Sequence, residues 1–456
     1  MLRQIEDYVR SLGLDAYLVG GAVRDELLGL ESKDADFVVP GVDTAGLRSR
    51  LEPHGRMEDL VVADRLVGVR FFPEDAEIRR LVPTGIEFAP PRREESTGPG
   101  RHDFAIVADA SLPIEKDMER RDFTVNAIAR RLEDGTYVDP LGGRGDLERR
   151  VLRAVSPRSF AEDPLRLVRG LRLVSQLGLE PDEETLQQMR EEARAVALVS
   201  PERIGGGVKA DGQGELSKLL LGREPARALR LARDTGVLAE VIPEFAPAVG
   251  YAQTSDRQHL PLDEHLFAVV QAAADAGARL EVRLAALLHD LGKPETDGSG
   301  GEHAVRGAAI ARTVLRRLRY PARLQAYVGR LVHEHAFHEL PDPQPVDARR
   351  FLARHGSELA LDLLAHKDAD LRGKRGTEAA VAALARFGEL LQQERTQPHD
   401  LSHLAVDGGD LIALGFREGP VLGHVLQALL RDVVEEPARN TREWLLERAA
   451  GELERA

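Results

Sequence analysis

Two carboxylates, Asp34 and Asp36, stand one residue apart in Lys33-Asp34-Ala35-Asp36-Phe37-Val38-Val39, a spacing that can hold metal. If this stretch is extended, as Phe37 to Val39 suggest, both side chains leave one face of the strand roughly 7 Å apart. Two hard divalent cations about 4 Å apart on that face would activate an attacking hydroxyl and stabilise a leaving pyrophosphate. Upstream, the run Tyr17-Leu18-Val19-Gly20-Gly21-Ala22-Val23-Arg24-Asp25 breaks at paired glycines before a short helix. Glycines at such a turn let the backbone approach a ligand, and the helix start aims free N–H groups at an anion such as a triphosphate, with Gly21 and Arg24 to steady it. Alone, each piece reads as a turn or a chance pair of surface acids. Their order and spacing together make the layout of a nucleotide-polymerising site.

Further along, His265, the pair His289-Asp290 in Leu287-Leu288-His289-Asp290-Leu291-Gly292-Lys293, then His303, His333 and Asp370 fall on separate helical stretches. Imidazole and carboxylate ligands in that number suit one or two divalent transition metals, and the absence of cysteine excludes thiolate sites. This stretch resembles an HD-superfamily metal phosphohydrolase domain, which implies His265, His289, Asp290 and Asp370 as the ligand set, with His303 and His333 as further candidates and His335 and His338 close beside them. A third group is Asp163, Arg166 and Arg169 in Glu162-Asp163-Pro164-Leu165-Arg166-Leu167-Val168-Arg169. On a helix these three share one side, while Leu165 and Val168 face a core. An acceptor and a forked donor projecting together would bond the pairing edges of cytosine and adenine much as a partner base does. The plainer reading is a solvated ion pair.

The first block, together with Asp117-Met118-Glu119-Arg120-Arg121-Asp122-Phe123-Thr124-Val125-Asn126-Ala127, Asp139-Pro140-Leu141-Gly142-Gly143 and the Asp163 block, resembles class II tRNA nucleotidyltransferases. That family rebuilds the 3′-terminal CCA of transfer RNA without a nucleic-acid template. The likeness continues through Ser200-Pro201-Glu202-Arg203-Ile204 to Asn440 and so covers nearly the whole chain. It implies an α+β fold: a DNA polymerase beta-like head with a small sheet over 1–150, a helical neck and body over 151–250, an HD domain over 251–400 and a helical tail over 401–456. It implies Mg2+ on Asp34 and Asp36, a second divalent transition metal in the HD domain, and tRNA, CTP and ATP as partners. Asp163 and Arg166 would read the base, and Arg169 and Arg121 would hold the nucleotide or its phosphates. Glu87 resembles the family's third acid, but Ala89-Pro90-Pro91 stands where threonines are expected. A specialist adding only CC or only A, a poly(A)-adding relative, and an HD hydrolase using the head to hold RNA are the alternatives. A non-catalytic tRNA binder is opposed by the intact acids.

The 456 residues exceed what one core supports, so several domains are expected. Hydrophobic content of 43% with 30% charge fits a globular chain, and 4% aromatic content argues against stacking platforms for single strands. A net charge of −14 repels RNA unless basic side chains are gathered locally, since screening acts over roughly 8 Å at physiological salt. Arg149, Arg150 and Arg153, then Arg166, Arg169 and Arg172, then Arg203 and Lys209, are such gatherings. The stripe Arg312, Arg316, Arg319 and Arg323 reads equally as a solvated helix face. Met1 to Gly13 lacks a signal-peptide core and no run of about eighteen apolar residues occurs, so a cytoplasmic location without membrane contact is the default. No obligate protein partner is evident. Ala16 to Val19, Phe37 to Val39, Leu66 to Phe72 and Phe104 to Val107 are expected strands, Arg92 to His102 a mobile loop, and no strand is expected beyond Val151.

Overall fold

A computed structural model describes residues 1–31, 35–62, 65–96, 104–208, 212–253, 259–296, 301–338, 340–374 and 378–453. These residues form two compact units, Met1–Pro243 and Glu244–Ala456.

The first unit is built on a seven-stranded mixed sheet. Its strands are β1 (Tyr17–Val19), β2 (Asp36–Val38), β3 (Gly55–Val62), β4 (Arg65–Pro73), β5 (Ile86–Ala89), and, beyond a separate hairpin of β6 (Arg92–Ser96) and β7 (Phe104–Ala108), β8 (Ala129–Arg131) and β9 (Tyr137–Val138). They lie in the order β3-β4-β5-β2-β1-β8-β9. β2 runs antiparallel to β1 and parallel to β5, with Asp36 opposite Glu87 and Phe37 opposite Phe88. Phe37, Phe71 and Phe88 are fully buried, with the Phe88 ring centroid 5.5 Å from that of Phe37 and 6.2 Å from that of Phe71. Burying each contributes roughly 1.5–3 kcal/mol, and this fixes register: a one-residue slip would turn Asp36 into the core and Phe37 out of it.

Two expectations need correction. Arg92 to Ser96 is a strand rather than a loop, paired residue for residue with β7; Arg-Arg-Glu-Glu-Ser lacks the apolar alternation that marks a strand, and its backbone bonds come from its partner. Residues 97–102 of that expected loop lie outside the described residues. A short parallel pair, Val151–Leu152 with Glu180–Pro181, also follows residue 150. Between those two segments runs the Leu165–Leu177 helix, which buries Leu165, Leu167, Val168, Leu171, Leu173 and Val174. The glycines after Ile204 lie between the Pro201–Ile204 and Glu215–Leu220 helices, with Gly214 N–H donating to the Gly205 carbonyl at 2.9 Å.

In the second unit every described element is helical. The Leu280–Leu288 helix is buried on all sides, as its near-continuous apolar sequence requires, and packs with the Leu262–Asp275, Glu302–Arg317, Ala322–Glu334 and Ser357–Gly373 helices. The proline-rich segment 341–345 leads directly into the Pro345–His355 helix, where Pro345 takes the first position and needs no N–H partner. A terminal cluster centred on Leu411, Leu429, Val433 and Leu445 closes the tail. Among the described residues no helix is long and apolar enough to cross a membrane.

Gly143 opens a helix packed on the Thr124–Asn126 turn, and a Cβ there would collide with the Thr124 carbonyl oxygen. Gly143→Ala should therefore lower the unfolding free energy by about 1–3 kcal/mol in urea denaturation. An unchanged midpoint would show that the helix shifts freely.

Candidate functional site

The sheet's β2 and β5, the Gly20-Gly21 corner, the Asp122–Asn126 turn and the Leu165–Leu177 helix enclose a cleft of about 1090 Å³ in the first unit. Asp36 and Glu87 stand side by side on its wall because their strands are parallel and in register. Glu87 also accepts from Arg70 across β4, with Nη2 to Oε1 at 2.5 Å. Asp34 lies outside the described residues.

At the corner Gly20 has φ +70°, and a Cβ on it would come within 2.7 Å of Arg121 Nη1. A bare backbone is thus what lets the Arg121 guanidinium lie over the turn. Arg121 and Arg120 are held from behind by Asp117, which is fully buried and accepts from Arg121 Nη2 at 3.0 Å and Arg120 Nε at 2.8 Å. Burial pushes the Asp117 carboxyl up, and the two guanidiniums outweigh it, so its pKa is lowered.

A second chain of contacts starts at Asp25, whose Oδ1 accepts from Arg24 Nε and Nη2 at 2.9 and 2.7 Å. Arg24 Nη1 donates to Asn126 Oδ1 at 2.6 Å, Asn126 Nδ2 donates to Asp122 Oδ1 at 2.9 Å, and Asp122 Oδ2 meets Arg169 Nη2 at 2.9 Å. Burial raises the Asp122 carboxyl, but Arg169, Asn126 and Arg166 bring it down to about 2. Asp117, Asp122 and Asn126, which the expected site omitted, hold the cleft's arginines. Part of their signal was present, as the acids Asp117 and Asp122 flanking the Arg120-Arg121 pair.

The third expected group is only partly assembled. Arg166 and Arg169 share the helix, but Asp163 precedes it in extended conformation (φ −138°, ψ 98°) because Pro164 disfavours a helical residue before it. Asp163 instead caps the helix, accepting from Leu165 N–H at 3.1 Å, with its other oxygen 3.5 Å from Arg203. Arg166 is buried, donating to Ser159 Oγ at 3.0 Å and to the Arg120 carbonyl at 2.8 Å. Asp163, Arg166 and Arg169 all line the cleft, with Arg172 and Arg203. Among the described residues nine arginines and lysines face six carboxylates there, an excess of positive charge in a chain of net −14. Elsewhere in this unit Arg149 and Arg153 are spent on Asp146, at 2.9 and 3.1 Å, and Lys209 lies outside the described residues.

In the second unit, His265, His289, Asp290 and Asp370 converge from three helical segments. His265 Nε2 is 3.3 Å from Asp370 Oδ1 and 3.7 Å from Asp290 Oδ2, and His289 Nε2 is 3.2 Å from Asp290 Oδ2. The other Asp290 oxygen faces His303 Nε2 at 3.7 Å and His335 Nε2 at 3.5 Å. His333 is not in this cluster. Its side chain is 48% exposed and pairs with Glu334, whereas His335 is buried. The reason is helical phase: Val332 faces inward, the residue three on follows it, and the residue between them points away. His366, unanticipated, lies with both ring nitrogens buried and unpartnered, 4.9 Å from His289 ring to ring. It sits one helical turn before Asp370 in Ala365-His366-Lys367-Asp368-Ala369-Asp370, a spacing that could have revealed it.

Two sets of donors, His265-His289-Asp290 and Asp290-His303-His335, each bring their ligand atoms within 4.8 Å of one another. Burial holds His289 neutral, the state a metal ligand needs, and histidine and lysine neighbours keep the Asp290 carboxyl well below the carboxylate range despite burial. His265 Nε2, His289 Nε2 and Asp290 Oδ1 are buried without a hydrogen-bond partner, which fits a bound cation.

Residues 16–153 match the family model for the poly A polymerase head domain, 178–249 that for the "Probable RNA and SrmB- binding site of polymerase A", and 262–371 that for the HD domain. The Multifunctional CCA protein of Nitrosococcus oceani is 34% identical over 80% of this chain and 86% of its own. That of Xanthomonas campestris pv. campestris is 33% identical over 90% and 95%. The Bacillus stearothermophilus CCA-adding enzyme, solved in complex with CTP, superposes with a TM-score of 0.69 at 26% identity over 99% of this chain and 98% of that one. The Thermotoga maritima CCA-adding enzyme complexed with tRNA, at 19% identity and TM-score 0.56, shares the fold over 99% and 94%.

The depressed Asp122 pKa makes a pH prediction. Its stabilising contribution, about 2 kcal/mol, is fully present above the unfolded carboxylate pKa and is lost as pH falls through the folded value of about 2. Asp122→Asn should therefore be less stable than wild type by about 2 kcal/mol at pH 7, with about half that gap gone at pH 3. A gap independent of pH would assign the loss to packing.

Proposed function

We propose that this chain, which belongs to the CCA-adding tRNA nucleotidyltransferase family and carries an HD domain, adds CCA to the 3′ end of tRNA from CTP and ATP without a template. The observation that carries this reading is the cleft itself, where an in-register acid pair on two central strands of the sheet faces arginines beside a glycine corner. We assign metal binding to Asp34 and Asp36, with Glu87 next to Asp36 as a third acid. Mg2+ there would supply Lewis-acid activation of the terminal ribose hydroxyl and neutralise charge on the leaving pyrophosphate. The hydroxyl oxygen forms the new bond to the α-phosphorus, the bond from that phosphorus to the bridging oxygen breaks, and the hydroxyl proton leaves to solvent.

The remaining assignments concern this chain's own groups. Gly21, Arg24 and Arg121 hold the triphosphate at the corner, their orientation set by Asn126 and Asp117. Asp163 and Arg166 read the base, Asp163 as acceptor for an exocyclic amine, while Arg169, anchored on Asp122, contacts the nucleotide. Because Arg166 is braced by Ser159 and the Arg120 carbonyl, its position is set before the nucleotide arrives, which lowers the ordering cost of binding. Head (1–150), neck and body (151–250), HD domain (251–400) and tail (401–456) divide the work.

The HD cluster acts as a phosphohydrolase on RNA ends. Its donors suit one or two divalent transition metals, held by His265, His289, Asp290 and Asp370 with His303 and His335, which would supply a hydroxide at neutral pH. A water oxygen bonds to phosphorus, one P–O ester bond breaks, and the released ribose oxygen takes a proton.

Labelled CTP and ATP, offered singly and together to tRNA lacking CCA, test the first activity: incorporation of both in sequence is expected, and CTP alone or ATP alone would make the chain a specialist. Asp36→Asn should reduce incorporation about a thousandfold while leaving phosphohydrolase activity intact. His289→Ala should do the reverse, and loss of both activities in either variant would contradict two independent sites.

A further inference from the structure

Between Glu302 and Glu334 the sequence carries seven arginines and no acid, in a chain where Asp and Glu supply 76 of 456 residues. This stretch forms the Glu302–Arg317 and Ala322–Glu334 helices, which a four-residue turn folds into a packed antiparallel pair. Three of the arginines are held within the unit: Arg306 by Glu295, Arg317 by Glu244 at 2.7 Å and Arg330 by the Arg354 carbonyl at 3.3 Å. Arg312, Arg316 and Arg323 are exposed, and among the described residues none of the three has a hydrogen bond or ion pair. Arg319, exposed in the connecting turn, adds to the charge. Elsewhere in this unit Arg279, Arg350, Arg354, Arg372 and Arg448 each hold an acid, so three arginines together without one depart from a solvated ion-pair face.

The helix pair gathers these charges on one side. A Cβ on Gly329 would come within 2.6 Å of Arg312 Nε, so the bare backbone there lets Arg312 reach from the first helix across the second. Arg316 stands one turn closer to the connecting turn, about 6 Å along the axis, and Arg323 about 9 Å from Gly329 in the same direction. The other exposed side chains around them, Ala309, Thr313, Ala322 and Ala326, are small. The exposed large apolar residues nearest in the chain are Val305 and Leu340, outside this face. A row of forked guanidiniums fits phosphate oxygens, while a face with no apolar anchor lacks what a protein hot spot or membrane insertion needs. Without an exposed aromatic ring it also lacks a platform for stacked single strands, which leaves a duplex bound by its backbone and shape.

We infer that this face is an RNA-backbone site: Arg312, Arg316 and Arg323 bind phosphates of a duplex stem of tRNA. Only the choice of tRNA rests on the function proposed above. Arg316 lies about 20 Å along its helix from His303, and Arg323 about 18 Å from His335, so the face holds the body of the RNA rather than a reacting bond.

The test measures tRNA binding by the full chain without nucleotide, for wild type and Arg312→Gln/Arg316→Gln/Arg323→Gln, between about 50 and 200 mM KCl. The glutamine variant should keep its unfolding midpoint, since no partner is lost, and bind tRNA about tenfold more weakly at the low-salt end. Its log–log salt slope should be shallower by about two to three, and the corresponding lysine variant should recover that slope. A short RNA hairpin should show the same loss, and single-stranded oligouridine should not. No tRNA binding by wild type, unchanged affinity in the glutamine variant, weakening with an unchanged slope, or a loss seen only with oligouridine or phosphatidylglycerol vesicles overturns the inference. A wild type that binds tRNA through this face but adds no nucleotide fails the catalytic reading and leaves this one standing.

Discussion

Two buried carboxylates, Asp117 and Asp122, make the positive cleft possible. Cations gathered in one cavity repel one another and, unheld, would swing apart into solvent. Asp117 binds Arg120 and Arg121, and Asp122 binds Arg169 directly and Arg24 through Asn126, so four guanidiniums are fixed by two acids in one short stretch of chain. Each acid is desolvated, which makes its pairing stronger than a surface ion pair and its loss more damaging. The glycine corner and the sheet register then decide where those fixed cations point.

The same economy governs the histidine cluster. Asp290 turns one oxygen toward His265 and His289 and the other toward His303 and His335, so one carboxylate organises both donor sets. The Nε2 atoms of His265 and His289 are buried there without a hydrogen-bond partner, a desolvation that a bound ligand would offset, and the unpartnered nitrogens of His366 extend that pattern along the Ser357–Gly373 helix. Local helix phase therefore decides membership, as the contrast between His333 and His335 demonstrates.

What the chain reveals before folding follows the range of the interaction. The Gly20-Gly21 corner and the Leu287-to-Lys293 run were legible because their chemistry is local to a few residues. The juxtaposition of Asp36 with Glu87 was not, since it depends on which distant strand pairs with β2 and in what register. Asp163 was misplaced on the helix because its charge spacing was weighed above the proline that follows it. The polar strand β6 was hidden because its pairing partner, not its own pattern, makes it a strand.

The most direct measurement of the central claim is the affinity for CTP, in the presence of magnesium, of Asp117→Asn beside wild type. Asp117 is completely buried, so any effect on the nucleotide must pass through the arginines it holds. Weakening of about tenfold or more is predicted, with the fold retained, because Arg120 and Arg121 lose the charge that aims them. Unchanged affinity in a folded variant would contradict the account, showing that the arginines find the nucleotide without the buried acid.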